Sequence, residues 1–309
     1  MKNFINLKDI PARDLKKILA DAKIRKKLRK KLDNLEVDKG APLKGKLLIQ
    51  MFEKSSLRTR LSFYLAIKQL GGSTLTLRPD ELHMSKGGES IQDIAKILSN
   101  FGNAFMLRTA SDEKLEEFKK YLSIPIINGL SPSSHPTQIL SDIFTVEEIK
   151  KKPISSLNIT WIGDCNNVLN SLIAASIKFS FKLSIGCPTK YKPSKKIMQY
   201  IKSNKNNIHI LHDPKKVAKG ADVIFSDKVI SMNDKVNKLK KLSKFKKFKI
   251  SEKLMGLAKK DCIFLHCLPR GKEVEEKVFL SKRSKVWQQA LNRVHVQKSI
   301  LLYCFGKLR

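Results

Sequence analysis

Short apolar runs alternate with amphipathic stretches along almost the whole chain. In the first half, Leu47–Phe52, Thr74–Leu77, Ala104–Leu107 and Ile124–Ile127 have the length and composition of buried strands. Between them, residues 61–70, 90–101 and 112–121 carry apolar side chains at helical spacing, and Pro136–Ile149 closes the series as a further helix. A helix over residues 8–33 precedes all of these, with Leu15, Ile18, Leu19 and Ile24 on its apolar face. The second half repeats the alternation. Asn158–Ile162, Phe181–Ile185, Ile208–Leu211, Asp222–Ser226 and Cys262–Leu265 read as strands; helices are expected after the turn of residues 163–167 through Lys178, over Ser194–Lys202, from Pro214, and over Gln288–Tyr303.

Strands alternating with helices of this length form right-handed βαβ units around a parallel sheet. The expected fold class is α/β, with two doubly wound domains, each a central parallel sheet flanked by helices, joined by interdomain helices. The boundary falls at the helix of residues 136–149, with Lys151-Lys152-Pro153 opening the second half. No GxGxxG follows the first strand of that half, so a dinucleotide fingerprint is absent.

The stretch Phe52-Glu53-Lys54-Ser55-Ser56-Leu57-Arg58-Thr59-Arg60 changes the picture from fold to chemistry. A strand that turns into a helix through Ser, Arg and Thr leaves free backbone N–H groups aimed at one spot. The helix dipole and two guanidinium groups add positive charge there, which suits a phosphate. An ordinary Ser-capped helix start with solvated arginines is the plainer reading. The Gly-Lys-Ser/Thr ending of a P-loop is missing.

Other unusual polar residues also fall where apolar runs end, the edge at which open parallel sheets bind ligands. Arg108 follows one run, and His135 and Gln138 follow another; Asn167, then Asp227, Ser231 and Met232, then His266-Cys267-Leu268-Pro269-Arg270 follow three more. Each has a bland alternative: a solvated arginine, a helix start with Pro136 at its first position, a helix cap at Asn167, turn chemistry at Asp227, a buried structural thiol at Cys267. Their coincidence at one kind of edge favours function.

Charge and cysteine usage narrow the classes. The chain of 309 residues carries a formal net charge of +34. Residues 1–150 hold 27 Lys and Arg against 18 Asp and Glu, and residues 151–309 hold 35 against 10. A nucleic-acid binder would show such an excess, but the densest run, Lys238–Lys249, lacks interleaved stacking aromatics apart from Phe245 and Phe248, and no DNA- or RNA-binding motif accompanies it. A solvated lysine-rich surface that gathers an anionic substrate is the better reading. No apolar run approaches membrane-spanning length, and Met1-Lys2-Asn3-Phe4 opens no secretory signal. Cys165, Cys187, Cys262, Cys267 and Cys304 form no CxxC pair and no zinc spacing, so a reduced, cytoplasmic chain without structural metal is expected.

Taken together, Ser56-Leu57-Arg58-Thr59-Arg60, His135-Pro136-Thr137-Gln138, Asp227 with Ser231-Met232, and His266-Cys267-Leu268-Pro269-Arg270 resemble the ornithine branch of the aspartate/ornithine carbamoyltransferase family. The similarity runs nearly end to end and includes Leu70-Gly71-Gly72, Ile127-Asn128-Gly129-Leu130 and Asn292-Arg293. The resemblance implies transfer of the carbamoyl group of carbamoyl phosphate to the side-chain amine of L-ornithine, by a homotrimer without metal or organic cofactor, with no membrane and no specific nucleic acid as partner. It implies a carbamoyl phosphate domain at 1–145, to which a C-terminal helix at 288–309 returns, and an ornithine domain at 146–287.

By the same resemblance, Ser56, Leu57 through its backbone, Arg58, Thr59 and Arg108 hold the phosphate, and His135, Gln138 and Arg293 surround the carbamoyl end. Cys267 and Leu268 also reach that substrate. Asn167, Asp227, Ser231 and Met232 hold ornithine, and Asp227, Cys267 and Arg58 act in the chemistry. The departures are Leu57, Ile94, Val229, Asn233 and Leu291, where the family usually has Thr, Thr, Trp, Gly and Glu. The last leaves Arg293 less firmly oriented on this reading. A residue reaching a neighbouring subunit's site falls among His83, Met84 and Lys86. A carbamoyltransferase for N-acylated ornithine or putrescine stands as the alternative, because Leu57 also occurs in the acylated-ornithine branch.

Overall fold

The computed structural model describes residues 1–78, 81, 88–204, 207–230 and 237–308. By internal contacts the chain divides into Met1–Phe144 with Leu291–Arg309, and Thr145–Ala290.

The first unit begins with α1 (Ala12–Leu28). It then alternates β1 (Leu47–Phe52), α2 (Leu57–Gln69), β2 (Ser73–Leu77), α3 (Ile91–Phe101), β3 (Ala104–Arg108), α4 (Asp112–Tyr121), β4 (Ile126–Leu130) and α5 (Pro136–Lys150), the last crossing into the second unit's residues. Its four strands lie in the order β2-β1-β3-β4, all parallel. β1 is therefore the strand from which the chain winds outward in both directions, and the crevice beside its carboxyl end is the switch point where such sheets bind ligands. One face of the sheet is closed by Ile94, Ala95, Leu98, Leu115 and Phe118, packed on Ile49, Met51, Phe105 and Leu107. Burying each such side chain is worth about 1.5–3 kcal/mol.

The second unit contains β5 (Asn158–Ile162), α6 (Asn167–Phe179), β6 (Lys182–Gly186), α7 (Lys195–Ser203), β7 (Ile208–Leu211), α8 (Pro214–Ala218), β8 (Val223–Ser226), α9 (Lys238–Phe245), α10 (Glu252–Gly256), β9 (Ile263–His266) and α11 (Glu276–Leu280). The final helix, α12 (Val286–Cys304), starts among its residues. The strand order is β7-β6-β5-β8-β9, again parallel throughout, with the switch point between β5 and β8. Gly163, immediately after β5, has φ 146°, a backbone setting that other residues rarely adopt, and it turns the chain towards α6.

Two expectations from the pattern shift. The first helix is shorter than residues 8–33, and Ile24, expected on its apolar face, is 60% exposed. The strand expected at Ile124–Ile127 runs instead over Ile126–Leu130. Pro125 has no N–H to give to a ladder, and Gly129 lets the strand pass Met106, whose sulfur would lie 2.4 Å from any Cβ placed there. No helix among the described residues is long and apolar enough to cross a membrane.

Candidate active site

The first unit's candidate site is built at the carboxyl ends of β1 and β3. Ser56 caps α2 in extended backbone (φ −154°, ψ 102°), its hydroxyl accepting from the Thr59 N–H at 3.4 Å and donating to Thr59 Oγ1 at 3.0 Å. Such a cap is worth about 1 kcal/mol to the helix. It also fixes the first turn so that its free N–H groups and positive dipole end face the crevice. Leu57 is the first helical residue; its side chain is 70% exposed, and only its backbone belongs to the cradle. Arg108 ends β3 beside Phe52 of β1.

Deeper in the same unit, Arg293 of α12 is buried and donates to Thr59 Oγ1 at 2.9 Å and to Gln138 Oε1. Gln138 in turn donates to Asp142 at 2.8 Å. His135, at the start of α5, is buried, and its pKa lies well below the ordinary 6.5. Burial is the larger cause, and the positive charges of Arg293, Arg108 and Arg58 add to it. These residues therefore share one electrostatic neighbourhood: three guanidinium groups around a neutral imidazole. It is short of negative charge and fits a dianion.

Glu53, which the pattern did not single out, braces this site. Its carboxylate accepts from Thr109 Oγ1 at 2.6 Å, from Ala110 N at 2.9 Å and from Lys114. Burial alone would push its pKa up, but the bonds from Lys114, Thr109 and Ala110 outweigh that and hold it low. The residues after Arg108 are thus tied to the strand that leads into the cradle.

The second unit's candidate site is built at the carboxyl ends of β5, β8 and β9. Asp227, one residue past β8, accepts from Asn166 Nδ2 at 2.6 Å and from the Cys267 thiol at 2.8 Å. Cys267 is half-buried and hydrogen-bonded, not an inert core thiol. Asn166, not Asn167, is the cap of α6, accepting from Val168 N and Leu169 N; Asn167 is the first helical residue. Ser231 and Met232, and likewise Asn233, His83, Met84 and Lys86, lie outside the described residues.

The backbone of the Cys267–Leu268 turn is set by a buried pair. His266 Nδ1 accepts from Leu268 N at 3.0 Å, which leaves its Nε2 to donate to Glu273 Oε1 at 3.1 Å. Leu268 sits at φ 57°, a conformation that costs a leucine on the order of 1–3 kcal/mol and persists only where neighbours hold it. His266 supplies that hold.

Family models described as the carbamoyl-P binding domain and the Asp/Orn binding domain of aspartate/ornithine carbamoyltransferase match residues 2–148 and 155–304. The chain belongs to that family. It is 39% identical to the ornithine carbamoyltransferase of Agrobacterium fabrum, over 99% of this chain and 98% of that protein. The Caulobacter vibrioides ornithine carbamoyltransferase is likewise 39% identical, again over 99% of this chain and 98% of that one. Among solved structures it is similar to the anabolic ornithine carbamoyltransferase of Campylobacter jejuni, with TM-score 0.89 and 34% identity over 99% of this chain and 100% of that one. The Pyrococcus furiosus ornithine carbamoyltransferase gives TM-score 0.89 and 36% identity over 97% and 96%.

Against the family pattern, the Leu291 departure has a smaller consequence than the sequence suggests. Leu291 is 56% exposed, while Arg293 is held by two partners distant in sequence, Thr59 and Gln138. The residues that sequence reasoning missed are Glu53, Asn166, Lys241 and Glu273, the partner of His266. Lys241 is buried within the basic run, its ammonium 2.6 Å from Asp164 and over the ring of Tyr191. The available signal was position: Glu53 directly follows a strand, and Asn166 sits two residues before the first buried residue of a helix. Among the described residues no group of three or more His, Cys, Asp or Glu could hold a metal ion.

Proposed function

We infer that the chain is an ornithine carbamoyltransferase, which moves the carbamoyl group of carbamoyl phosphate to the side-chain amine of L-ornithine and yields L-citrulline and phosphate. The observation that carries the reading is Asp227 with Cys267 on one oxygen and Asn166 on the other, in the half of the chain that matches an Asp/Orn binding domain. A carboxylate held on both sides and left half-exposed suits a cationic amino acid.

In the mechanism, Ser56, the Leu57 backbone N–H, Arg58, Thr59 and Arg108 bind the phosphate. His135, Gln138 and Arg293 surround the carbamoyl oxygen. His135 is neutral, so it donates a hydrogen bond without placing a further cation beside three arginines. The ornithine side-chain amine gives one proton to solvent and attacks the carbamoyl carbon as the neutral amine; the C–N bond forms, the C–O bond to phosphate breaks, and the nitrogen's surplus proton leaves with the phosphate. Negative charge grows on the carbonyl oxygen and then on the leaving phosphate, where fixed donors stabilise it; removing one such donor typically costs a hundredfold or more in rate, about 10²–10³. Asn167, Asp227, Ser231 and Met232 hold the amino-acid end of ornithine, with Cys267 and Leu268 at the reacting end.

The domains follow the same reading: 1–145 with the helix of 288–309 for carbamoyl phosphate, 146–287 for ornithine. The contact units and the two family matches support this division. The working assembly is a cytoplasmic trimer. An exposed apolar row on α2, Leu57, Leu61 and Tyr64, spaced at one helical face, supports burial of that surface against a second copy; light scattering reads the assembly.

The test is citrulline formation by the purified protein beside Arg58→Ala and Cys267→Ala. Arg58→Ala should nearly abolish use of carbamoyl phosphate, and Cys267→Ala should mainly impair use of ornithine. Unchanged kinetics in both variants refute the assignment.

A further inference from the structure

In the first unit, three helices meet at one buried chain of hydrogen bonds. Gln138 and Asp142 stand one turn apart on α5 and so share a face of it. Gln138 Nε2 donates to Asp142 Oδ1 at 2.8 Å, while Gln138 Oε1 accepts from Arg293 of α12. The other terminal nitrogen of Arg293 donates to Thr59 Oγ1 of α2 at 2.9 Å, and Ser56 Oγ, in the cap, lies 3.0 Å from that same oxygen. Asp142, Gln138, Arg293 and Thr59 are all buried. The chain therefore runs from a carboxylate on α5 to the cap of α2.

The order of the groups gives each of these bonds one direction. A guanidinium only donates and a carboxylate only accepts, whereas an amide does one at each end. Gln138 lies between the two. Turned over, it would set its NH2 against the Arg293 donors and its oxygen against the Asp142 carboxylate, and both bonds would be lost. A carboxylate thus decides which end of the amide faces Arg293.

We propose that Asp142 is a positioning residue for the carbamoyl phosphate site: through the Gln138 amide it aims the Arg293 guanidinium at Thr59 and at the carbamoyl end of the substrate. The inference rests on the carbamoyltransferase reading, which puts Gln138 and Arg293 around the carbamoyl group and Thr59 on the phosphate. Arg293 is a rigid planar fork, so a turn of it on the Gln138 side moves the nitrogen that meets Thr59. Donating to a charged acceptor also polarises the amide, and its oxygen becomes a stronger acceptor for Arg293. A carboxylate placed directly on Arg293 would fix it as well, but would lay negative charge beside an arriving dianion. The amide passes on the orientation and keeps that charge one side chain farther off.

The experiment measures citrulline formation by the parent protein, Asp142→Asn, Gln138→Met and the double variant, with each substrate varied in turn. Asp142→Asn keeps the shape but can offer Gln138 either end of its own amide, so the direction of the chain is no longer enforced. The expected result is a kcat/KM for carbamoyl phosphate about tenfold to a hundredfold lower, as for a weakened hydrogen bond to a charged group. The KM for ornithine should stay within about twofold. In the Gln138→Met background no amide remains to be oriented, and adding Asp142→Asn should change kcat/KM by less than about twofold. A merely structural carboxylate would add its loss in full there, and that result overturns the proposal. So does an unchanged kcat/KM for carbamoyl phosphate in folded Asp142→Asn, or an equal loss on the ornithine side. Folding of every variant is read by urea titration, and the same cycle built on Asp142→Ser decides the matter should the Asn variant misfold. A parent protein that forms no citrulline refutes the carbamoyltransferase reading; one that forms it while the cycle is additive refutes this inference alone.

Discussion

The anion cradle proposed for the first unit and the amine site proposed for the second occupy the same topological place, the carboxyl edge of a parallel sheet where the strand order switches, but are finished in different ways. In the cradle, Arg293 is buried, bonded to Thr59 and Gln138, and His135 is buried beside it. The charges are permanent and their positions are set before any ligand arrives. In the amine site the central group is one half-exposed carboxylate, Asp227, steadied by an amide and a thiol from two different loops. The contrast follows the ligands. A phosphate dianion arrives charged and leaves with more charge, so fixed cations serve it at every stage. An amine must arrive as a cation and react as a neutral group, and a crowded array of fixed negative charge would keep it protonated.

The largest test of this contrast is loss of one cradle cation. Arg58→Ala should lower kcat/KM for carbamoyl phosphate by roughly 10²–10³, as for removal of a fixed transition-state donor, with steady-state kinetics as the measurement. A loss confined to the KM of ornithine would erase the division between the halves. Next in size, Asp227→Asn should raise the KM for ornithine about tenfold to a hundredfold, because a bond to a charged group is exchanged for a neutral one; an equal rise for carbamoyl phosphate would break the comparison from the other side.

A third test is thermodynamic. His135 has a folded pKa depressed far below 6.5, so the unfolded chain binds a proton that the folded one refuses. Its contribution is full above about pH 6.5 and is lost as the pH falls from there towards the folded value. Urea titrations between pH 7.5 and pH 5.5, values chosen to bracket the ordinary imidazole pKa of about 6.5, should show stability falling with acid. His135→Asn should flatten that slope, and an unchanged slope would show that the imidazole is not held neutral. The smallest effect is expected at Leu291→Glu, within about twofold of the parent in kcat/KM. Arg293 already has two partners, and a clear gain would show that they do not hold it.

Much of the architecture was legible from patterning. Asn158–Ile162 and Ile208–Leu211 are strands over the residues expected, and Asp112–Tyr121 is the helix expected. Periodicity failed where one residue's chemistry overrode it, as when Pro125 moved a strand along by two positions. It also passed over α9, α10 and α11, helices of 8, 5 and 5 residues, too short to display a period. Within the candidate site, residues with direct chemical character were visible: arginines, a histidine, an aspartate at a strand end. Glu53, Asn166 and Glu273 were not, because what marks them is a partner distant in sequence, such as Thr109 for Glu53 or Asp227 for Asn166.

Lys241 separates one member of a lysine-rich segment from its neighbours. Most side chains of that segment can be exchanged for neutral or acidic ones to improve handling of so basic a protein, at little thermodynamic cost. Blanket acetylation or wholesale recolouring of 238–249 would also strip the ammonium that steadies Asp164, two positions from the cap of α6. A redesigned surface should therefore leave that single lysine alone, however solvated the run looks on paper.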